Sequence, residues 1–284
     1  MKILLTGATG FTGSYVLRRL LAEGLSPRCL VRQKTVEGVE TVVGDIGDAA
    51  SLARAFEGID TLINTASLGF GHAPVLVEAA ERAGVRRAIF LSTTSLFTSL
   101  NSTSKSIRRA AEETIQRSSL DWTILRPTMI YGSARDRNMI RLIRFVQRWP
   151  LLPVFGDGSH LQQPVYVDDV AAAVVLALRS DAAVRRAYNI SGAAPLTFNQ
   201  VLETVARLLG RRVRKVHVPA KPVVKSLQWV ERRGLRFPVK AEQILRLNEN
   251  KAFDWAEAAR DFGYAPLPFE EGMRREIESL KQER

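Results

Sequence analysis

Three glycines near the start of the chain have the spacing of a phosphate-binding turn. They lie in Thr6-Gly7-Ala8-Thr9-Gly10-Phe11-Thr12-Gly13, between a short apolar run and an apolar pattern at helical spacing. The first glycine permits a tight turn, the second lets the backbone approach a pyrophosphate, and the third lets strand and helix pack closely. The positive end of the helix then faces the phosphate charge. The segment predicts a dinucleotide site whose contacts are Gly7, Thr9, Gly10, Phe11, Thr12 and Gly13. The alternative is a glycine-rich turn that binds nothing.

Arg32 stands where a dinucleotide-binding chain usually carries an acid for the ribose 2′-hydroxyl. No Asp or Glu lies between Glu23 and Glu37, and Lys34 follows shortly after Arg32. A guanidinium can pair with a 2′-phosphate through two hydrogen bonds and can stack on adenine. We therefore predict NADP as the cofactor in preference to NAD. The alternative is a solvated arginine in an arginine-rich chain.

Short β-branched runs alternate with helical patterns over the first half of the chain. The predicted strands are 2–6, 28–32, 40–43, 61–64, 88–91 and 122–125, and the helices between them are 11–21, 49–56, 74–83 and 105–117. Such βαβ repetition with short connections predicts a parallel sheet covered by helices on both faces.

After Pro127 the pattern is less regular. It has a basic amphipathic helix at 137–149, strands at 165–167 and 187–190, and mainly helices thereafter. The sequence predicts an α/β fold, a doubly wound parallel Rossmann sheet with a smaller, mostly helical C-terminal lobe. We place the NAD(P)-binding core at 1–191 and the substrate or cap lobe at 192–284.

The chain resembles the short-chain dehydrogenase/reductase superfamily in its extended and atypical branches. The resemblance covers nearly the whole chain. It rests on the glycine segment and on Gly44-Asp45, Asn64-Thr65-Ala66, Leu125-Arg126-Pro127 and Val167-Asp168-Asp169-Val170, in that order.

The resemblance implies further cofactor contacts. Asp45 would bond the adenine amino group beside Ile46, although a turn or helix-cap role is the alternative and Asp48 could be the cap instead. Small residues at the carboxyl edge of the sheet would let the nicotinamide ribose approach. The remaining residues expected at the cofactor are Thr65, Ala66, Ser67, Lys105 and Pro127.

The resembled enzymes use a Ser or Thr after the fifth strand, and a Tyr four residues before a Lys, for proton transfer. Thr94 fits the hydroxyl position best, with Ser92 and Thr93 close behind, and Lys105 fits the lysine. Asn101 occupies the tyrosine position, and an amide is neither a general acid nor a general base near neutral pH. The sequence therefore predicts a departure from the family's chemistry.

Two further positions bear on the reaction. Tyr131 could approach the nicotinamide as a catalytic group, and the alternative is a buried hinge tyrosine. Extended enzymes acting on sugar nucleotides often carry an Arg where this chain has Gln162 and Gln163. Arg135, Arg137 or Arg141 could compensate.

The composition excludes several classes. The chain has 284 residues, 46% of them hydrophobic, which is typical of a globular protein. Its single cysteine and three scattered histidines predict no disulfide framework and no metal site.

No leader or membrane-spanning run is apparent, so we expect a cytoplasmic location. The net charge of +12 comes from scattered basic pairs, which we interpret as a solvated surface. Nucleic acid is not an expected partner.

Two functions remain. The first is an NADP-dependent oxidoreductase, or an epimerase/dehydratase-type enzyme, acting on a sugar nucleotide or a carbonyl compound. The second is a catalytically silent NADPH-binding sensor or assembly protein, similar to the Rossmann-type accessory subunit of respiratory complex I. A homodimer is among the oligomeric states that the sequence leaves open.

Overall fold

A computed structural model describes residues 1–33, 35–100, 103–234 and 240–282 of the chain. Lys34 and Asn101 lie outside the described residues. The chain forms two compact units that alternate along the sequence: unit 1 takes 1–130, 167–190 and 254–266, and unit 2 takes 131–166, 191–253 and 267–284. The single boundary after residue 191 stays a prediction.

The described residues form the following elements in chain order. The strands are β1 (Ile3–Thr6), β2 (Arg28–Val31), β3 (Thr41–Val43), β4 (Thr61–Asn64), β5 (Arg87–Leu91), β6 (Asp121–Pro127), β7 (Ile130–Tyr131), β8 (Leu151–Phe155), β9 (Leu161–Gln162), β10 (Val165–Tyr166), β11 (Arg186–Ile190), β12 (Leu196–Thr197) and β13 (Arg214–Val218). The helices are α1 (Phe11–Ala22), α2 (Ala49–Ala55), α3 (Ala73–Arg82), α4 (Thr103–Arg117), α5 (Met139–Arg148), α6 (Val167–Leu178), α7 (Phe198–Leu208), α8 (Ala220–Arg232), α9 (Ala241–Leu247), α10 (Ala256–Phe262) and α11 (Phe269–Gln282).

Unit 1 is built on a seven-stranded sheet in the order β11-β6-β5-β4-β1-β2-β3. Every neighbouring pair in it is parallel. The strand order reverses between β1 and β4, which is where ligands bind in open α/β sheets. The predicted doubly wound Rossmann sheet is confirmed.

Helices cover the sheet because its central strands are buried along their whole length, as β1 and β4 show. On one face, side chains from α2, α3 and α4 form a buried core with the strands that includes Leu52, Leu76, Ile115, Leu62 and Phe90. These side chains are almost fully removed from water, and burial of each stabilises the fold by about 1.5–3 kcal/mol.

Helices α1 and α6 pack against each other in unit 1. The Arg19 guanidinium of α1 donates two hydrogen bonds to Asp168, at 3.2 and 2.7 Å. Both side chains are about one third exposed, so the pair orients the helices more than it stabilises them. This contact gives Asp168 of the Val167-Asp168-Asp169-Val170 motif a structural role.

Unit 2 contains strand pairs that the hydrophobic pattern did not predict. Strand β8 pairs in parallel with β13, with Leu151 opposite Arg214, and β9 pairs antiparallel with β12. Helix α7 begins with a capping box, in which Thr197 and Gln200 each accept a hydrogen bond from the other's backbone N–H. Across the described part of the chain, no helix is both long and apolar enough to cross a membrane.

Unit 2 also buries two carboxyl groups together. Asp136 accepts backbone N–H bonds from Asn138, Met139 and Ile140 at the start of α5, at 2.7 to 3.2 Å. Glu276 of α11 is fully buried. Burial, and then the neighbouring Asp136, raise the pKa of Glu276 to about 10. Glu276 is therefore protonated at neutral pH, whereas the same side chain ionises when the chain unfolds.

We expect Glu276→Gln to stabilise the protein increasingly as pH rises. Above its ordinary pKa of 4.5, Glu276 binds more protons in the folded than in the unfolded chain, so it lowers stability progressively up to the folded-state pKa. The glutamine variant should gain about 1–3 kcal/mol at pH 8 and almost nothing at pH 4. Urea unfolding at the two pH values measures this. An equal difference at both would contradict it.

Candidate cofactor site and adjacent catalytic region

The glycine turn connects β1 to α1 at the switch point of the sheet. Gly7 has a φ of +76°, and a Cβ there would lie 2.7 Å from the backbone nitrogen of Ala66. A Cβ on Gly13 would lie 2.0 Å from the carbonyl oxygen of Gly7. Only glycine fits at these two positions, because the turn, the helix and the end of β4 approach so closely.

Thr65 holds this turn in place. Its hydroxyl donates to the carbonyl oxygen of Thr6 at 2.7 Å, and Thr6 in turn donates to the side-chain oxygen of Asn64 at 2.6 Å. Thr65 was predicted to contact the cofactor, and its hydroxyl already has a protein partner. Of its predicted neighbours, Ala66 is half-buried, and Ser67 is exposed and accepts the Gly69 N–H.

The N-terminus of α1 is open for an anion. Gly10 caps it with extended backbone (φ −72°, ψ 169°), no side chain caps it, and no acidic residue lies in its first turn. The residues of that turn are Phe11, Thr12 and Gly13. A Cβ on Gly10 would lie 3.0 Å from the Gly7 carbonyl oxygen, a close contact that backbone movement of a few tenths of an ångström would relieve. Gly10 thus leaves space in front of a positive helix end.

Arg32 follows β2 directly, at the carboxyl edge of the sheet, and is exposed. Within the described ranges no carboxylate pairs with its guanidinium, whereas Arg28, at the other end of β2, pairs with Glu40 at 2.6 Å. Arg32 therefore presents an uncompensated cation beside the predicted ribose position.

Asp45 follows β3 and is also exposed. It accepts the Gly47 N–H at 2.7 Å, while Asp48 caps α2 by accepting the Ser51 N–H at 2.8 Å. The α2 cap is therefore Asp48, and Asp45 keeps a carboxylate oxygen toward solvent beside half-buried Ile46.

His72 is buried at the start of α3. Desolvation lowers the pKa of its imidazole, and the negative charge of Asp45 opposes this change. The His72 side chain is therefore not a solvated group at the start of the helix.

A buried charge network lies at the carboxyl ends of β5 and β6, and sequence reasoning missed it. Ser92 donates to Glu112 at 2.5 Å, and Arg126 donates to both oxygens of the same carboxylate, the shortest bond being 2.6 Å. Glu112 is almost fully buried. The Arg126 guanidinium lies 5.4 Å from the Phe97 ring centre. The network binds α4 to the sheet edge. Because the Ser92 hydroxyl already donates to Glu112, another hydroxyl is the better candidate for catalysis.

The remaining catalytic candidates of unit 1 lie close in sequence. The Thr93 hydroxyl caps a short 3-10 turn by accepting the Ser95 N–H, while Thr94 is buried and its hydroxyl reaches the Pro127 carbonyl at 3.4 Å. Lys105, in the first turn of α4, donates to the Thr98 carbonyl. Among the three hydroxyls, Thr94 has the weakest protein hydrogen bond.

Tyr131 belongs to unit 2 and is fully buried. Its hydroxyl donates to the Phe269 carbonyl at 3.3 Å, and its ring packs edge-on against Tyr166. A Cβ on Gly272 would lie 2.2 Å from the hydroxyl oxygen. These contacts support the packing alternative for Tyr131.

Gln162 and Gln163 are also buried structural residues of unit 2. Gln163 donates to the Gly192 carbonyl at 2.7 Å and accepts the Phe253 N–H at 2.7 Å. Gln162 accepts from Lys251 at 3.3 Å. Both side-chain amides hydrogen-bond to backbone groups or to Lys251. No local sequence pattern indicates this structural role.

The unit 1 residues fit a nicotinamide dinucleotide. The open helix end suits a pyrophosphate, and exposed Asp45 suits an adenine amino group. Arg32, which has no carboxylate partner among the described residues, suits an additional phosphate. In the described portion of the chain, no group of three His, Cys, Asp or Glu residues could hold a metal ion.

A family model described as NAD(P)H-binding matches residues 7–181. The chain belongs to this NAD(P)H-binding family. The matched range begins at Gly7 and includes five of the seven sheet strands; β1 precedes it and β11 follows it. The resemblance to the short-chain dehydrogenase/reductase superfamily is confirmed.

Curated relatives agree with this membership, and a solved structure shares the fold. The chain is 29% identical to ceramide reductase of Caulobacter vibrioides over 235 residues, covering 76% of this chain and 73% of the relative. It is also 29% identical to NADH dehydrogenase (ubiquinone) 1 alpha subcomplex subunit 9 of Arabidopsis thaliana, covering 87% and 68%. A Thermus thermophilus UDP-glucose 4-epimerase in complex with NAD shares the fold, with a TM-score of 0.75, 23% identity and 99% of both chains covered.

Proposed function

We propose that this protein binds NADP(H) and is an NADP-dependent oxidoreductase for a carbonyl compound. The observation that carries the proposal is the exposed guanidinium of Arg32, which has no carboxylate partner among the described residues, beside an uncapped helix N-terminus. Two anion-binding features at one sheet edge suit a dinucleotide with a 2′-phosphate. The bound cofactor supplies a hydride donor or acceptor. The relation to a ceramide reductase supports reduction of a carbonyl.

A carbonyl compound is preferred to a sugar nucleotide because of Gln162 and Gln163. In the resembled sugar-nucleotide enzymes an arginine at this place often holds the substrate diphosphate. Here both side chains are buried and hydrogen-bonded within unit 2. They bring no positive charge for a diphosphate.

In this proposal Thr94 supplies the catalytic hydroxyl, and Lys105 holds the nicotinamide ribose. Thr94 has only a long hydrogen bond to the Pro127 carbonyl, so its hydroxyl can exchange partners.

The proposed setting is the reducing cytoplasm, which suits the one buried thiol, Cys29. Burial raises the pKa of Cys29 to about 11, so the thiol is unreactive.

The second candidate is a catalytically silent NADPH-binding protein. Asn101 favours it, since the position expected for the proton-transfer tyrosine carries an amide. The relation to a subunit of a respiratory NADH dehydrogenase is consistent with this candidate. Both candidates require the same cofactor site and differ in turnover.

Arg32→Asp is expected to lower NADPH affinity by about tenfold to more than a hundredfold, since a charge-assisted hydrogen bond contributes roughly 1.5–3 kcal/mol. NADH, which lacks the 2′-phosphate, should bind the variant at least as well as it binds the unmodified protein. Nicotinamide fluorescence titrations measure both. Arg117→Asp, an exposed site at the end of α4, is the control for the change in net charge. Equal NADH and NADPH affinities in the unmodified protein would overturn the cofactor assignment.

A further inference from the structure

Two segments of unit 2 concentrate positive charge without any acid. No Asp or Glu lies between Asp136 and Asp157, or between Glu203 and Glu231. The first segment contains α5 and β8, and the second contains β13 and most of α8. Strands β8 and β13 pair in parallel, so the two acid-free segments are joined side by side.

The solvent side of α5 carries a stripe of cations. Arg141, Arg144 and Arg148 are exposed at spacings of three and four, while Ile140 and Ile143 are buried on the opposite side. In the described part of the molecule no carboxylate pairs with these three arginines. The stripe is therefore an uncompensated positive surface, unlike the arginines of α11, where Arg274 and Arg275 pair with acids one turn away.

Large apolar side chains continue this stripe into β8 and β13. Trp149 is 52% exposed and Leu151 53% exposed. The Arg214 N–H donates to the Pro150 carbonyl at 2.8 Å, and the register places Arg214 beside Leu151 and Val216 beside Pro153. We name the arginine–tryptophan face by its residues, which are Arg141, Arg144, Phe145, Arg148, Trp149, Leu151, Arg214 and Val216.

We infer that the arginine–tryptophan face docks unit 2 onto an anionic phospholipid surface. Arginine attracts the negative headgroups, and tryptophan takes the boundary between headgroups and acyl chains, where one side of the ring is apolar. Within the face, the Arg148 guanidinium lies 5.9 Å from the Trp149 ring centre. The exposed aliphatic groups of Leu151 and Val216 suit acyl chains. A phosphodiester backbone would leave them in water, which favours a membrane over a nucleic acid.

Helix α8 repeats the same chemistry in the second acid-free segment. Lys221, Lys225 and Trp229 are exposed at spacings of four. The Arg233 guanidinium lies 4.0 Å from the Trp229 ring centre. The opposite side of α8 packs into a small core through Val224 and Leu227. Its exposed tryptophan is therefore not part of that core.

Co-sedimentation of the full chain with vesicles tests the inference. The expected result is binding to phosphatidylcholine vesicles containing phosphatidylserine, little binding to phosphatidylcholine alone, and release as salt rises from about 0.1 to 0.5 M. Arg141→Glu/Arg144→Glu/Arg148→Glu should weaken binding at least about a hundredfold, since each lost arginine contact contributes about fivefold. Trp149→Ala/Leu151→Ala leaves the charge unchanged and should weaken binding about tenfold.

A charge-matched control separates the face from the overall charge. Arg54→Glu/Arg117→Glu/Lys281→Glu makes the same change in net charge at exposed positions outside the face and should keep most of the binding. Equal losses in both triple variants would overturn the inference. So would equal binding to neutral vesicles, stronger binding to a DNA or RNA duplex, or a dimer that the face variants dissociate without any vesicle binding. Circular dichroism verifies folding, and the tryptophan–leucine variant decides the matter if the triple variant misfolds.

Discussion

Gly10→Val is expected to abolish NADPH binding while leaving the protein folded. The backbone of Gly10 is extended, at φ −72° and ψ 169°, which valine adopts readily. Its side chain would occupy the space in front of the α1 N-terminus, where the pyrophosphate would lie. The backbone N–H groups at the α1 N-terminus are expected to donate to the pyrophosphate, and losing two such charge-assisted hydrogen bonds, at about 1.5–3 kcal/mol each, corresponds to roughly 10²–10⁴-fold in affinity. Fluorescence titration with NADPH measures the loss.

Two other glycine variants give this experiment its controls. Gly10→Ala adds a single methyl group and should weaken binding less than valine does. Gly7→Val should instead destabilise the fold, because Gly7 has a φ of +76° and its Cβ would lie 2.7 Å from backbone. Circular dichroism and thermal melting distinguish loss of binding from loss of structure. Normal NADPH affinity in a folded Gly10→Val protein would show that the phosphate site is wrong.

NADPH turnover with ordinary carbonyl substrates is expected to be about 10²–10⁴ times slower than the enzyme median of about 10 s⁻¹. The physical reason is the missing general acid, since Asn101 cannot give up a proton near neutral pH. Steady-state assays with carbonyl and sugar-nucleotide panels measure the rate, and affinity for NADPH should be retained.

Asn101→Tyr is the matched variant for this prediction. It places a tyrosine four residues before Lys105, the spacing of the resembled enzymes, and should raise any residual rate without changing NADPH affinity. Lys105→Ala should lower cofactor affinity together with rate. A turnover near 10 s⁻¹ in the unmodified protein would refute the expectation and assign proton transfer to another group, with Thr94 the first to test.

The parts predicted best from sequence are those governed by local pattern. The strand expected at 61–64 is β4 as found, and those expected at 40–43 and 88–91 are β3 and β5 within one residue. Short apolar runs such as β4 and β5, buried along nearly their whole length, alternate with amphipathic helices, and this pattern favours buried parallel strands. Strands β8 and β13 were missed, because proline interrupts the first at Pro153 and charged residues interrupt the second at Arg214 and Lys215. About sixty residues separate β8 from β13 in the sequence. Their pairing stabilises a strand conformation that neither segment favours alone.

Local sequence was enough to predict the strands β1, β2 and β4, the glycine turn after β1 and the position of Arg32 after β2, because each depends on residues close together in the chain. Which polar groups already have hydrogen-bond partners depends on the tertiary structure. Ser92 meets Glu112 and Arg126, and Gln163 meets Gly192 and Phe253. These partners lie 14 to 90 residues apart in sequence. A buried polar group must find its hydrogen-bond partner wherever the fold provides one, and no local pattern specifies that partner.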